Sequence, residues 1–515
     1  MTRAVFSSNA GAGVAARAVP DSRAGCPPPD APPLPATAPL PANPFLAWFG
    51  IDLPMMQRLL GALGSGGADA GELFFQHTRT SVLTLEDGAV NRAYSAIDQG
   101  VGLRVVAGDQ VGYAFTEDLS EGAMRQAART AAAIAHRAAV PPTASVNQRA
   151  AGSHYRLAVP WELVRTEEKL PLLRRVDALA RARDARVQKV SVSLHDSEDR
   201  ILIATLDGRL LIDERPLTKM HCSVSAKRAS ETQTAYASIS SRRGLDWYAE
   251  ERLTALANLA VDRAIVLFDA QKAPAGELPV VLAAGASGML LHEAIGHGME
   301  ADFNRKNVSI YSEMLGKPVA PSFVTIVDDG TIDGETGTLN FDDEGNPCEQ
   351  TLLVENGILA TYLHDGISSR HYRVPATGSG RRESYKYPPM PRMRSTYMRG
   401  GPHSRDEIIA SVSKGIIAET FTNGQVHIGA GDFTFYVKNG WLIENGKVTA
   451  PIRDANLVGN GPEVLRRVAM AADDVTLDPS GWMCGKYGQA VPVSLGMPTV
   501  LISRLTVGGE NAPGS

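Results

Sequence analysis

Turn pairs recur along this chain and force it back on itself. Asp87-Gly88, Asp207-Gly208, Asn356-Gly357, Asn439-Gly440 and Asn445-Gly446 each sit among runs rich in β-forming residues, as does Gly108-Asp109 in the reverse order. Short hairpin loops need a positive φ, which Asn, Asp and Gly adopt at least cost, so each pair predicts antiparallel neighbours. "SVLTLE" and "AVNRAYS" flank the first pair, and "GLRVVA" and "QVGYAF" flank Gly108-Asp109. Residues 72–115 therefore read as an antiparallel meander.

Helices are signalled between these runs. Ser120 opens one reaching about residue 138, with Met124, Ala127, Ala131 and Ile134 near helical spacing. Thr166 is placed to N-cap a second, which carries Glu167 and Glu168 in its first turn and an apolar stripe of Leu172, Val176, Leu179 and Ala180. A third follows Asp246 and runs to about Phe268, where "QKAPAGELP" breaks it. Beyond that break, Ser404 and Glu407 form a capping box, and the helix they open ends before Gly415. The fold class is α+β and rich in antiparallel sheet, with a mixed α/β N-terminal half and a mostly β C-terminal part. Its expected units are a disordered Ala/Pro-rich tail (1–45), an N-terminal α+β domain (46–160), a central α+β domain (161–272) and a β-rich C-terminal domain (273–515). No internal repeat is visible.

The 515 residues suffice for about three domains. A formal charge of -5 without a pronounced basic run argues against nucleic acid as a partner. No stretch approaches the ~18 to 20 apolar residues of a membrane span, so no membrane partner is expected. The four cysteines, Cys26, Cys222, Cys348 and Cys484, lack the spacing of a disulfide framework. A soluble protein in the reducing cytoplasm is the expectation.

"LLHEAIGHGME" carries the chemistry. His292 and His297 are five apart, and on a regular helix that leaves them roughly 140° apart around the axis, unable to aim at one ion. Gly296 precedes His297 and Gly298 follows it, so the helix can widen by one residue as a π-bulge, or unwind, and return both imidazoles to one side. Glu293 then occupies the place of the general base in H-E-x-x-H proteases. A catalytic zinc site needs a third protein ligand, and Glu300, Asp302, Cys222, Cys348 and Cys484 all offer one. Cys484 has the most suggestive surroundings: Gly481, Gly485 and Gly488 let backbone approach an ion, and Lys486 favours a thiolate.

Two charged runs remain. "VDDGTIDGETGTLNFDDEGNP" does not match the spacing of a calcium loop and reads as turns. "GSGRRESYKYPPMPRMR" reads as an exposed basic loop.

Over residues 54–509 the chain resembles the TldD/PmbA metalloprotease family, specifically its zinc-bearing TldD-type subunit. The likeness rests on "IDQGVGLRVVAGDQVGYAF", "LLHEAIGHGMEADFNR", "FDDEGNP", "GRRESY", "PPMPRM" and "MCGKYGQAVPV", among others. It implies a C-terminal metallopeptidase domain with Zn2+ held by His292, His297 and Cys484, and Glu293 as catalytic base. It also implies a heterodimer with a TldE/PmbA-type subunit, and cleavage of unfolded peptides held by strand addition, a mode that reads main chain rather than sequence. The alternative is a non-catalytic peptide-binding subunit of such a complex. The long N-terminal tail and Tyr487 depart from the family pattern.

Overall fold

A computed structural model describes residues 46, 48–135, 147–148, 152–427 and 429–509. The expected tail at 1–45, Cys26 and the end of the helix beyond residue 135 lie outside them.

The first layer is one long, mainly antiparallel sheet, in which the two-residue strand Asn147–Gln148 runs parallel to residues 209–210. Strands β1 (Ala70–Glu86), β2 (Ala89–Ala107) and β3 (Gln110–Thr116) form the meander, and β4 (Val187–Thr205), β5 (Arg209–Arg228) and β6 (Glu231–Ser241) continue it in the order β3-β2-β1-β4-β5-β6. The expected units 46–160 and 161–272 thus share a single hydrogen-bonded sheet. Asp87 and Gly88 both take positive φ, 48° and 82°, as the β1–β2 turn requires.

Two helix pairs cover this sheet. Helix α1 (Leu53–Leu63) and α2 (Glu121–Ile134) bury Met56, Leu60, Met124 and Ala128 against Phe75, Leu103 and Leu202. The sequence reading missed α1, although Asp52 Oδ1 accepts from Met55 N at 2.6 Å and Pro54 lies in its first turn, both ordinary start signals. Helix α3 (Thr166–Arg183) starts one residue earlier than expected: Arg165, not Thr166, occupies the N-cap position, and Glu168 Oε2 accepts its N–H. Helix α4 (Glu250–Ile265) follows a 3-10 turn at Leu245–Trp247 that contains Asp246. Together α3 and α4 bury Val176, Ala180, Leu256 and Ala260 against Val192, Cys222 and Ile239.

The described C-terminal residues hold two large sheets and a two-stranded one that pairs Gly380–Arg381 with Met390–Pro391. In the larger, Lys414–His427, Gly276–Leu282, Val500–Gly508, Ala455–Asn460 and Asp432–Glu444 pair in that order, and the last also pairs the first, so five strands close a ring. Asn445-Gly446 makes the turn after Asp432–Glu444, with φ of 51° and 72°. Asn439-Gly440 does not turn: it lies inside that strand, paired across an irregular register with Ala418 and Thr420. The Thr420 hydroxyl donates to Asn439 Oδ1 at 2.8 Å and accepts from its N–H, which consumes the groups a turn would use. The helix announced by Ser404 and Glu407 spans Arg405–Ser411 with both capping-box bonds formed.

The two charged runs are each other's framework, and the basic one is not an exposed loop. Arg381, Arg382, Arg392 and Arg394 are all buried. Arg394 Nε pairs with Asp328 Oδ2 at 2.7 Å, while Arg382 Nη2 reaches back to Glu72 Oε1 at 2.8 Å and to the Asp343 carbonyl. Asp342 accepts from the backbone N–H groups of Glu344, Asn346 and Gly380, as the turn reading requires. Buried guanidinium groups need such partners, because stranding one costs several kcal/mol.

Candidate metal centre

The histidine helix begins where the strand Gly276–Leu282 leaves the ring. A turn at residues 284–287 leads into α5 (Gly288–Leu291), and His292–Gly296 continue as one π-helical turn before a 3-10 turn at His297–Met299. The extra residue between the histidines is absorbed there, as the glycine flanks suggested. Ile295 and Met299 join the core that the ring encloses, so the widened turn is anchored by apolar packing.

A second close approach brings the cysteine. Strand β7 (Trp482–Lys486) and strand β8 (Gln489–Met497) form a hairpin in which Cys484 pairs with Val491. At Gly288 a Cβ would lie 2.4 Å from Gly496 N, so the absence of a side chain lets the helix rest directly on β8. Arg392 Nη2 donates to the Cys484 carbonyl and ties β7 to the buried arginine framework.

The three side chains meet. His292 Nε2 is 3.2 Å and His297 Nε2 3.4 Å from Cys484 Sγ, and all three residues are buried. Among the described residues they form the one group of three or more His, Cys, Asp or Glu side chains spaced to hold a metal ion. Glu293 lies alongside, its Oε2 3.9 Å from His297 Nε2 and its side chain 25% exposed.

The donors suit a zinc-like ion. Zn–N near 2.05 Å and Zn–S near 2.3 Å in a tetrahedron set N and S about 3.6 Å apart, within a few tenths of an ångström of the spacing here. Two imidazoles and one thiolate are the borderline-soft set that such an ion prefers. Burial alone would push the Cys484 thiol up, but the two imidazoles overcome this and hold it well below its ordinary value, as a ligand thiolate needs.

The remaining candidate ligands lie elsewhere. Cys222 is buried beneath α3 and α4, and its thiol is pushed up to about 12 by burial. Cys348 donates to the Gly378 carbonyl and is likewise pushed up to about 12, chiefly by burial. Glu300 does not face the sulfur: its Oε2 is 2.9 Å from His297 Nδ1. Burial would raise the Glu300 pKa, but Lys486 and then His297 bring it down to about 2. Lys486 does not serve Cys484 either. Its Nζ contacts Asp302 Oδ1 at 2.7 Å and Glu300 Oε2 at 3.0 Å. Lys486, Glu300 and His297 thus form a buried chain that fixes one imidazole, whereas His292 Nδ1 is buried with no hydrogen-bond partner. Tyr487 sits at the tip of the β7–β8 hairpin, 68% exposed, its ring 5.8 Å from that of Phe303.

Residues 71–135 match the PmbA/TldA metallopeptidase domain 1, 160–268 the central domain and 275–509 the C-terminal domain. A protein of Haemophilus influenzae named "Metalloprotease TldD homolog" is 39% identical over 477 residues, covering 91% of this chain and 99% of its own length. A solved structure from Thermotoga maritima shares the fold at TM-score 0.72 and 21% identity, covering 88% of this chain and 99% of that one. The structure of TldE from Thermococcus kodakarensis does so at 0.67 and 17%, covering 88% and 100%. The chain belongs to the TldD/PmbA family of metallopeptidases and is a metalloprotease.

Proposed function

We propose that the chain is a zinc peptidase acting on unfolded or extended peptides, with the ion held by His292, His297 and Cys484 and the proton handled by Glu293. One observation carries this reading: three donors of zinc-preferred chemistry share one focus, with a carboxylate beside it. When bound, such an ion activates a water molecule and polarises the scissile carbonyl. Glu293 would take a proton from that water and return it to the departing amine. Glu300 holds the proton of His297 on Nδ1, leaving Nε2 free to ligate. A non-catalytic peptide-binding subunit would have no use for this donor set.

Strand addition is the proposed mode of peptide binding. Among the described residues β6 pairs in the sheet only with β5. Arg263 donates to its Tyr236 carbonyl and the Pro479 carbonyl accepts its Ser240 N–H, so an extended peptide has part of an edge to join. The proposed partner is a TldE-type subunit, whose fold this chain shares. A cytoplasmic location agrees with Cys222, Cys348 and Cys484 all being free thiols, and no helix among the described residues is long and apolar enough to cross a membrane.

The test is cleavage of an unstructured peptide by the zinc-loaded chain, with and without a TldE-type partner, read by mass spectrometry. New peptide termini that vanish with a chelator and return with zinc are expected. Intact peptide under both conditions would overturn the proposal.

A further inference from the structure

A cavity of about 580 Å³ opens between β6 and the C-terminal strands. Lys219, Arg263 and Lys438 line it, and Asp478 is the one acidic residue among the described lining side chains. Asp478 accepts from the Ser480 N–H at 3.0 Å and from Trp482 Nε1 at 2.8 Å, neutral donors that leave its charge in place, and it attracts both Lys219 and Arg263. Glu419, outside the lining, also attracts Arg263. Lys219 Nζ donates to the Gly481 carbonyl and Arg263 Nη1 to the Tyr236 carbonyl, neutral acceptors that leave the cationic charge in place. Burial lowers the pKa of both Lys219 and Arg263, the signature of cations held partly out of water. With three cations against one anion the lining is net positive, and Phe421 and Trp482 add apolar surface to it.

Its place in the fold links it to the metal centre. Trp482 and Cys484 are two apart on β7, so they share a face at a separation of about 7 Å. Ala286, in the turn that feeds the histidine helix, lines the cavity too. An extended peptide rises about 3.3 Å per residue, so two or three residues bridge the cavity and the ion-binding focus.

We propose that this cavity anchors a carboxylate of the substrate peptide two or three residues from the scissile bond. The proposal rests on the peptidase reading above. A carboxylate reaches the site as the C-terminus of the peptide or as an Asp or Glu side chain, and either forms charge-assisted bonds with the two lysines and the guanidinium. A terminal carboxylate necessarily lies on the leaving-group side, so the product released is a C-terminal di- or tripeptide.

The test compares three matched peptides on the zinc-loaded complex: a free acid, its C-terminal amide, and an amide carrying Asp third from the scissile bond. The free acid is expected to show a KM about tenfold lower than the amide, the size of one charge-assisted bond. In Lys219→Met, and independently in Lys438→Gln, the ratio of the two KM values falls toward one. If the Asp-bearing amide matches the free acid, the anchor stands with a side chain as its occupant. Equal KM values for all three peptides with the wild-type complex overturn it. Calorimetric binding of the same peptides to the zinc-loaded Glu293→Gln protein separates the two readings. Preference for the acid in binding, without cleavage by the wild type, keeps the anchor and sinks the peptidase. Cleavage without preference does the reverse.

Discussion

Lys486 Nζ lies 3.0 Å from Glu300 Oε2, the same oxygen that lies 2.9 Å from His297 Nδ1. One buried carboxylate therefore serves two masters: it balances an ammonium group and sets the tautomer of an imidazole. Asp302 takes a second hydrogen of the ammonium at 2.7 Å, so the lysine is held from both sides.

Replacing Glu300 by Gln keeps the shape but removes the anion that makes His297 a strong ligand. Zinc affinity should fall by about 10- to 100-fold, as for other outer-shell partners of metal-bound histidines. Competition against a chromophoric chelator measures it. Unchanged affinity would mean that Glu300 only pairs with Lys486.

The same carboxylate leaves a mark on acid stability of the metal-free chain. Its folded pKa of about 2 lies below the unfolded value near ~4.3, so its contribution is present above pH ~4.3 and is lost as pH falls toward about 2. Glu300→Gln should abolish that part of the acid sensitivity, so its stability changes less than the wild type's across this window. Chemical denaturation at a series of pH values, followed by circular dichroism, reads the difference.

Glu293 separates binding from turnover. Its side chain is placed beside the donors rather than between them, so Glu293→Gln should retain zinc while peptide cleavage falls by at least about 10²-fold. Zinc content by elemental analysis, measured alongside the rate, checks both halves. Full turnover in the variant would remove the proposed base.

Cys484 is the ligand most distant in sequence. Cys484→Ser exchanges a thiolate, which the two imidazoles stabilise, for a neutral hydroxyl, so zinc should be lost on dialysis against a mild chelator. Full occupancy after such dialysis would count against its role.

How much of this was legible depended on the reach of each interaction. The widened turn at His292–His297 follows from local facts, an impossible angle and a glycine to relieve it, and so did the hairpins at Asp87-Gly88 and Asn445-Gly446. The basic run was misread because its partners are remote: Glu72 lies some three hundred residues before Arg382, and no local rule pairs them. Asn439-Gly440 carries a turn signature, but at Gly440 a Cβ would lie 2.3 Å from the Ile417 carbonyl, so the glycine serves strand contact instead. Lys486, two residues from Cys484, invited a direct electrostatic role, yet its ammonium pairs with Glu300 and Asp302. Adjacency in sequence fixed the strand face but said nothing about what packs against it.

The π turn itself makes the last prediction. At Gly296 a Cβ would lie 2.1 Å from Met393 Sδ, and Met393 is fully buried in the core that holds Ile295 and Cys484. Gly296→Ala must therefore push Met393 aside or straighten the turn, and overpacking of this kind costs about 1–3 kcal/mol. If the methionine is what gives way, Met393→Ala in the same chain makes room for the new methyl, and the double variant should be less destabilised than the two single costs added together. If the turn straightens instead, His292 and His297 swing apart, zinc retention is lost, and enlarging the space at Met393 restores it only where the turn can widen again. Thermal denaturation with and without zinc, run on all four proteins of the cycle, reads both costs. Strictly additive losses with normal zinc retention would show that Gly296 is not what lets the helix widen.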